Sequence, residues 1–111
     1  MARLRGSRIR HIVVFALHHE EGSPEAEAFL AALRSLAAIE GVEELEVVRQ
    51  VGLKNSYQLA VTMEFVSRAA YNAYNAHPKH VAFVHERWEA EVTDFMEIDF
   101  AALGPDGSGE E

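Results

Sequence analysis

The sequence predicts an α+β domain in the order β-α-β-β-α-β, and three observations carry that prediction. Apolar residues occupy alternate positions from Ile9 to Leu17 and, more sharply, from Tyr57 to Phe65, the period of a strand with a buried face. Ser23-Pro24 and Ser67 each open a stretch with apolar residues three and four apart, the pattern of a capped amphipathic helix. At 111 residues with no cysteine, the chain is sized for one domain whose core needs neither disulfide nor structural metal.

The first strand, 9–17, puts Ile9, His11, Val13, Phe15 and Leu17 on one face and Arg10, Ile12, Val14 and Ala16 on the other. Both faces are largely apolar, so the strand is expected to contact something on each side. A helix follows EEGSP, with Ser23 as cap and Pro24 at the first helical position, where a missing N–H costs nothing. Glu25 and Glu27 suit its positive end. Ala26, Phe29, Leu30, Leu33, Leu36 and Ala37 form its apolar stripe, and Gly41 is expected to end it as a left-handed cap. Leu45, Val47 and Val51 mark a second strand over 43–51, and GLKNS makes a turn into the third. Ser67 then caps SRAAYNAYNAH, which Pro78 must break, because the residue before proline disfavours the helical region. A further helical piece, 78–89, shows Val81, Val84 and Trp88 on one side. A last strand, 92–100, carries Phe95, Met96, Ile98 and Phe100.

This order is the ferredoxin-like split βαβ motif: a four-stranded antiparallel sheet with helices over one face. Residues 9–101 are expected to form the domain, between a flexible basic segment, 1–8, and a disordered acidic tail, 102–111. The uncovered sheet face would leave a large apolar patch on a monomer, so pairing with a second copy through the sheet faces is expected.

Composition excludes several functions. A net charge of −8 repels a phosphate backbone and argues against nucleic acid as partner. No apolar run approaches the length needed to span a membrane, and MARLRGSRIR does not read as a signal peptide. Without cysteine there is no thiolate nucleophile or Cys-based zinc site, and a reducing cytoplasm is the expected location.

The chemistry-bearing stretch is AYNAHPKHVAF, 73–83. His77 and His80 are two imidazoles where a stable metal site wants three or four ligands, and His85 or Glu86 lie beyond the interruption at Pro78. No metal is therefore expected. The run His18-His19-Glu20-Glu21 reads as a solvated turn. Tyr74 and His80 lie six residues apart, about 120° out of alignment on a continuous helix, so Pro78 must re-aim one of them if they are to work together. The competing reading is structural: His77 satisfies backbone groups at the break, and His80 is a buried histidine bonded to a carboxylate or carbonyl.

The opening IRHIVVFAL, Ile39-Glu40-Gly41-Val42, YQLAVTMEF, the AYNAHPKH joint and the final IDF together resemble the stress-responsive A/B-barrel (Dabb) family, from about Ile9 to Phe100. The resemblance implies a ferredoxin-like subunit pairing into a dimeric α/β barrel, with a small apolar pocket between sheet and helices. It is also distantly similar to the plant olivetolic acid cyclase, which closes a linear polyketide by aldol chemistry with a histidine and a tyrosine. The matching residues are His80 as base and Tyr74 as its partner. His11 matches a first-strand histidine of that enzyme, whereas Leu59 stands where it has another. On this reading His80 and Tyr74 are catalytic, while His11, Leu30, Leu33, Leu59, Val61 and Trp88 line the substrate pocket. Imidazole titrates near neutrality and suits proton removal beside a carbonyl; a phenol in an apolar cavity steadies the oxygen charge that develops, so this chemistry implies no cofactor. The ligand expected is a small carbonyl-containing or aromatic molecule. The alternative is a non-catalytic oligomeric stress or scaffold protein with a structural His-Pro joint. A third reading, kinship to dimeric barrel monooxygenases, shares the fold but has no motif behind it.

Overall fold

The computed structural model describes residues 3–104. Four strands, β1 (Ile9–Leu17), β2 (Glu43–Arg49), β3 (Leu59–Phe65) and β4 (Val92–Ala101), form one antiparallel sheet in the order β2-β3-β1-β4. Helices α1 (Pro24–Arg34), α2 (Arg68–Ala76) and α3 (Pro78–Phe83) accompany it, and α3 runs on through a π-helical turn, Val84–Trp88, and a last turn, α4 (Glu89–Glu91). The acidic tail expected over 102–111 falls, for residues 105–111, outside the described residues. Among the described residues no helix is long and apolar enough to cross a membrane.

β1 has the predicted two faces. Ile9, His11, Val13, Phe15 and Leu17 are buried, and the residues between them are half-buried. Phe15, Phe29, Phe65, Leu33, Leu36, Met63 and Val61 are the most completely buried large side chains, filling the space between α1, α2 and the sheet. Both caps form as read: the Ser23 hydroxyl accepts the Ala26 N–H at 3.1 Å, and the Ser67 hydroxyl accepts that of Ala70 at 3.2 Å.

Several boundaries differ from the sequence expectation. α1 stops at Arg34, and a 3₁₀ turn, Ser35–Ala38, replaces its expected last turns. The Ser35 hydroxyl bonds back to the Ala32 carbonyl at 2.6 Å, a local contact that competes with regular helix. Ala37 is consequently exposed and Ile39 takes the core position. Gly41, at φ +95°, sits in the turn that leads into β2 instead of capping α1. β2 ends at Arg49, leaving Val51 almost fully exposed, and β3 starts at Leu59 because Asn55 and Gln50 tie the preceding chain into the loop. In α3 the buried residue is Phe83, whereas Val81 faces solvent. The π turn is the reason. Phe83 and Trp88, five residues apart, would diverge by about 140° on an α-helix, yet the wider turn brings their ring centroids to 6.4 Å.

On the other sheet face, Ile12, Val14 and Ala16 lie beside Ala60 and Thr62 of β3 and Met96, Ile98 and Phe100 of β4. Met96 and Phe100 are nearly half exposed. At one rim of this face Arg8, from the segment expected to be flexible, and Arg10 hold Glu64: Arg10 Nη2 lies 2.9 Å and Arg8 Nε 3.1 Å from its carboxylate. Burial works to raise the Glu64 pKa, but the two guanidinium groups outweigh it and hold the carboxyl below its ordinary value of 4.5. Its ionised form therefore stabilises the fold above that value, and the contribution is lost as pH falls through the lowered one. Glu64→Gln should cost about 1–3 kcal/mol at neutral pH, the worth of charge-assisted hydrogen bonds. Melting curves should show its deficit shrinking as pH falls below 4.5; a deficit that stays constant on acidification would exclude this role for the carboxylate.

Candidate functional site

Between the sheet and the α2–α3 joint lies a cavity of about 470 Å³. Pro78 builds its working edge. Because His77 takes an extended backbone (φ −66°, ψ 134°), α2 stops and α3 starts along a new direction. The His77 ring caps the new helix, its Nδ1 accepting the Lys79 N–H at 3.0 Å. The change of axis supplies the re-aiming that the six-residue spacing requires, and the Tyr74 and His80 ring centroids come to 4.3 Å. His77 Nδ1 is thereby committed to the break.

His80 Nδ1 lies 3.2 Å from the Asn75 carbonyl. A carbonyl oxygen can only accept, so Nδ1 carries the proton of the neutral ring and Nε2 holds the free lone pair. Burial pushes the imidazole below the ordinary histidine value of 6.5, against the pull of the Asn75 carbonyl, which keeps it neutral at pH 7. Tyr74 is 2 % exposed and lines the cavity. Among the described residues its hydroxyl has no hydrogen-bond partner. Burial, with the Glu97 charge adding to it, raises its pKa, so it remains a proton donor.

His11 enters from β1, directly across from Asp99 of β4. It is 4 % exposed, and its Nδ1 is 2.6 Å from Asp99 Oδ1. The Tyr71 hydroxyl donates to Asp99 Oδ2 at 2.9 Å and stands 3.2 Å from His11 Nδ1; Glu97 Oε2 is 3.3 Å from the same hydroxyl. Burial first, and the bond to Asp99 second, raise the Tyr71 pKa. His11, Glu97 and Asp99 offer three donor atoms within 4.8 Å of one another, the group of described residues best placed to hold a divalent cation. Asp99 already accepts from two donors, so the cluster also closes as a hydrogen-bond network without one.

Of the residues expected at the pocket, His11, Leu33, Val61, Tyr74, His80 and Trp88 line this cavity. Leu30 and Leu59 do not: they line a separate cleft with Leu17, His19 and Arg49. Leu59 begins β3, paired with Phe15 and Arg49 toward the far end of the sheet, away from the α2–α3 joint. His19 is also less solvated than its run suggested, with Nε2 at 2.7 Å from Glu91 Oε1. Sequence reasoning missed Phe83, Phe95, Glu97 and, behind them, Tyr71 and Asp99. The alternation of β4 was a usable signal, because Glu97 and Asp99 interleave with apolar Met96, Ile98 and Phe100 and so share the inner face with His11.

The sequence model of the stress responsive A/B barrel domain, Dabb, matches residues 9–102. The chain belongs to the Dabb family. A Dabb protein of Mesorhizobium loti with a ferredoxin-like fold is 49% identical; the match covers 87% of this chain and 98% of that one, at a TM-score of 0.85. A dimeric ferredoxin-like protein of unknown function from Thermobifida fusca is 26% identical over 90% of this chain and 95% of its own, at 0.70. A hydroxynitrile lyase of Passiflora edulis shares the fold at 17% identity, covering 85% and 92% of the two chains, with a TM-score of 0.75. No match is found among curated proteins. The Dabb assignment and the ferredoxin-like fold agree with the sequence reading, and they place the His-Pro joint inside the matched region.

Proposed function

We propose that this Dabb chain is a homodimer, paired through the outer sheet faces, and that each subunit binds and transforms a small carbonyl-containing or aromatic molecule. The observation that carries the proposal is the pairing of two free groups on one cavity. The Tyr74 hydroxyl has no partner among the described residues, and the lone pair of His80 Nε2 is left open by the Asn75 contact. His80 removes a proton from the carbon beside the carbonyl. Tyr74 donates a hydrogen bond to the carbonyl oxygen as charge develops there, and the surrounding apolar wall of Val61, Phe83 and Trp88 strengthens that bond by excluding water. The imidazolium then returns its proton to the product. That the Passiflora edulis lyase has the same fold supports reading the cavity as catalytic. The Thermobifida fusca protein's dimeric state and the apolar outer face support the homodimer.

A second reading has its own observation. His77 caps α3 and His80 bonds back to α2, so the joint also serves structure, as a non-catalytic oligomer would require. The pH dependence of proton exchange separates the two. With benzoylacetone in D₂O, protein-dependent exchange of the protons between the carbonyls should rise with pH and level off, its midpoint below 6.5 because burial holds the imidazole down. A profile that simply tracks hydroxide concentration, equal to buffer alone, would rule out the base.

A further inference from the structure

Resting on the cavity reading above, we propose that the pocket selects uncharged ligands against carboxylates, with Glu97 as the selecting residue. Among the described residues the cavity is lined by two carboxylates, Glu89 and Glu97, and by no lysine or arginine. Asp99 stands directly behind Glu97, sharing the Tyr71 hydroxyl with it. The nearby guanidinium groups are spent elsewhere. Arg87 is paired with Glu91 and lies over the Phe29 ring, and Arg8 and Arg10 are held by Glu64 on the opposite sheet side.

The imidazoles do not compensate. His80 turns one nitrogen to a backbone carbonyl, and burial keeps its ring neutral at pH 7. His11 directs Nδ1 at Asp99. An acid entering beside Tyr74 would therefore lose water and meet no lysine or arginine among the described lining residues, the arrangement that charge burial penalises most. The long-range field points the same way, since the chain carries a net charge of −8. A neutral hydroxy-carbonyl compound meets no such cost: its hydroxyl can donate to Glu97, its carbonyl can accept from Tyr74, and its ring packs on Phe83, Trp88 and Phe95. Phe95 closes that end edge-on against Trp88, centroids 5.5 Å apart.

The test uses matched pairs of nearly equal shape: 4-hydroxyacetophenone against 4-hydroxybenzoate, and benzamide against benzoate. Each is titrated into the full chain at pH 7.5, low salt and with EDTA, following the Trp88 indole resonance by NMR. Like-charge repulsion across roughly 5 Å, discounted for the half-exposed Glu97 side chain, amounts to about tenfold in affinity. Each neutral member should bind at least that much more tightly than its acid, and Glu97→Gln should shrink the ratio correspondingly. Independently, 0.5 M NaCl should narrow the wild-type ratio by screening. Acids that bind as tightly as their neutral partners, or a ratio that neither Glu97→Gln nor salt alters, would overturn the selection while leaving the cavity in place. If no member of either pair moves the Trp88 resonance, the cavity reading fails and this inference fails with it.

Discussion

His80→Gln should lower the cavity's α-proton exchange of benzoylacetone by about 10²–10⁴-fold, the usual contribution of a positioned general base. Glutamine keeps much of the side-chain bulk and can still donate to the Asn75 carbonyl, but it has no nitrogen that accepts a proton near neutrality. The stability cost should be small. His80 is half-buried and makes one hydrogen bond, at 3.2 Å, to backbone; losing such a bond outright is worth about 1 kcal/mol. Exchange rate and thermal melting measured on one preparation therefore diverge on the catalytic reading. A variant that melts many degrees lower yet exchanges like wild type would assign His80 to the joint alone. Tyr74→Phe is the informative companion, because it removes only the unpartnered hydroxyl and leaves the ring against Phe65 and His80. It should slow exchange without loosening the fold.

The fold was legible because its signals are local. Alternation in β1 and β3 gives the strand faces directly, and Ser23-Pro24, Ser67 and Pro78 punctuate the helices by stereochemistry that holds in any context. Where the reading failed, the deciding interaction was either non-local or a departure from regular geometry. No periodicity argument anticipates the π turn, Val84–Trp88, since Val81, Val84 and Trp88 fit an α-helical stripe well; the inserted residue is what exchanges Val81 for Phe83 in the core. The site divided in the same way. Tyr74 and His80 are six residues apart and were found together, with the family resemblance reinforcing the spacing. His11 and Asp99 meet only because β4 pairs with β1, 88 residues away in sequence. Leu30 and Leu59 share the helix-covered side of the sheet with the cavity residues, but a face says nothing about distance along a strand, and the structure puts both at the other cleft.

The proposed function gives the two faces of the sheet different duties, and they can be separated by experiment. Val14→Asp should dissociate the proposed dimer, raising its Kd by at least about 10³-fold. Val14 lies on the inner strand β1, between Ala60 of β3 and Met96 of β4 and pointing away from the helices. Two-fold pairing would bury the new carboxylate once in each subunit, so its cost is paid twice, at several kcal/mol per ion. Each 1.4 kcal/mol is a factor of ten in the constant. In the free subunit the position is half-buried on the outer face, so the charge can still reach water and the subunit keeps its fold. Sedimentation at micromolar concentration should show a monomer where wild type shows a dimer, with unchanged far-UV circular dichroism. Met96→Lys, on a side chain 47% exposed in the subunit, offers a second charge of opposite sign and should act alike; two variants that remain dimeric would place the interface elsewhere. Because His80 and Tyr74 line the cavity on the opposite side of the same sheet, the monomeric variants should still exchange benzoylacetone protons if the proposed chemistry holds. A loss of exchange that follows dissociation would mean that the partner helps to build or brace the cavity, and that the two faces are not independent after all.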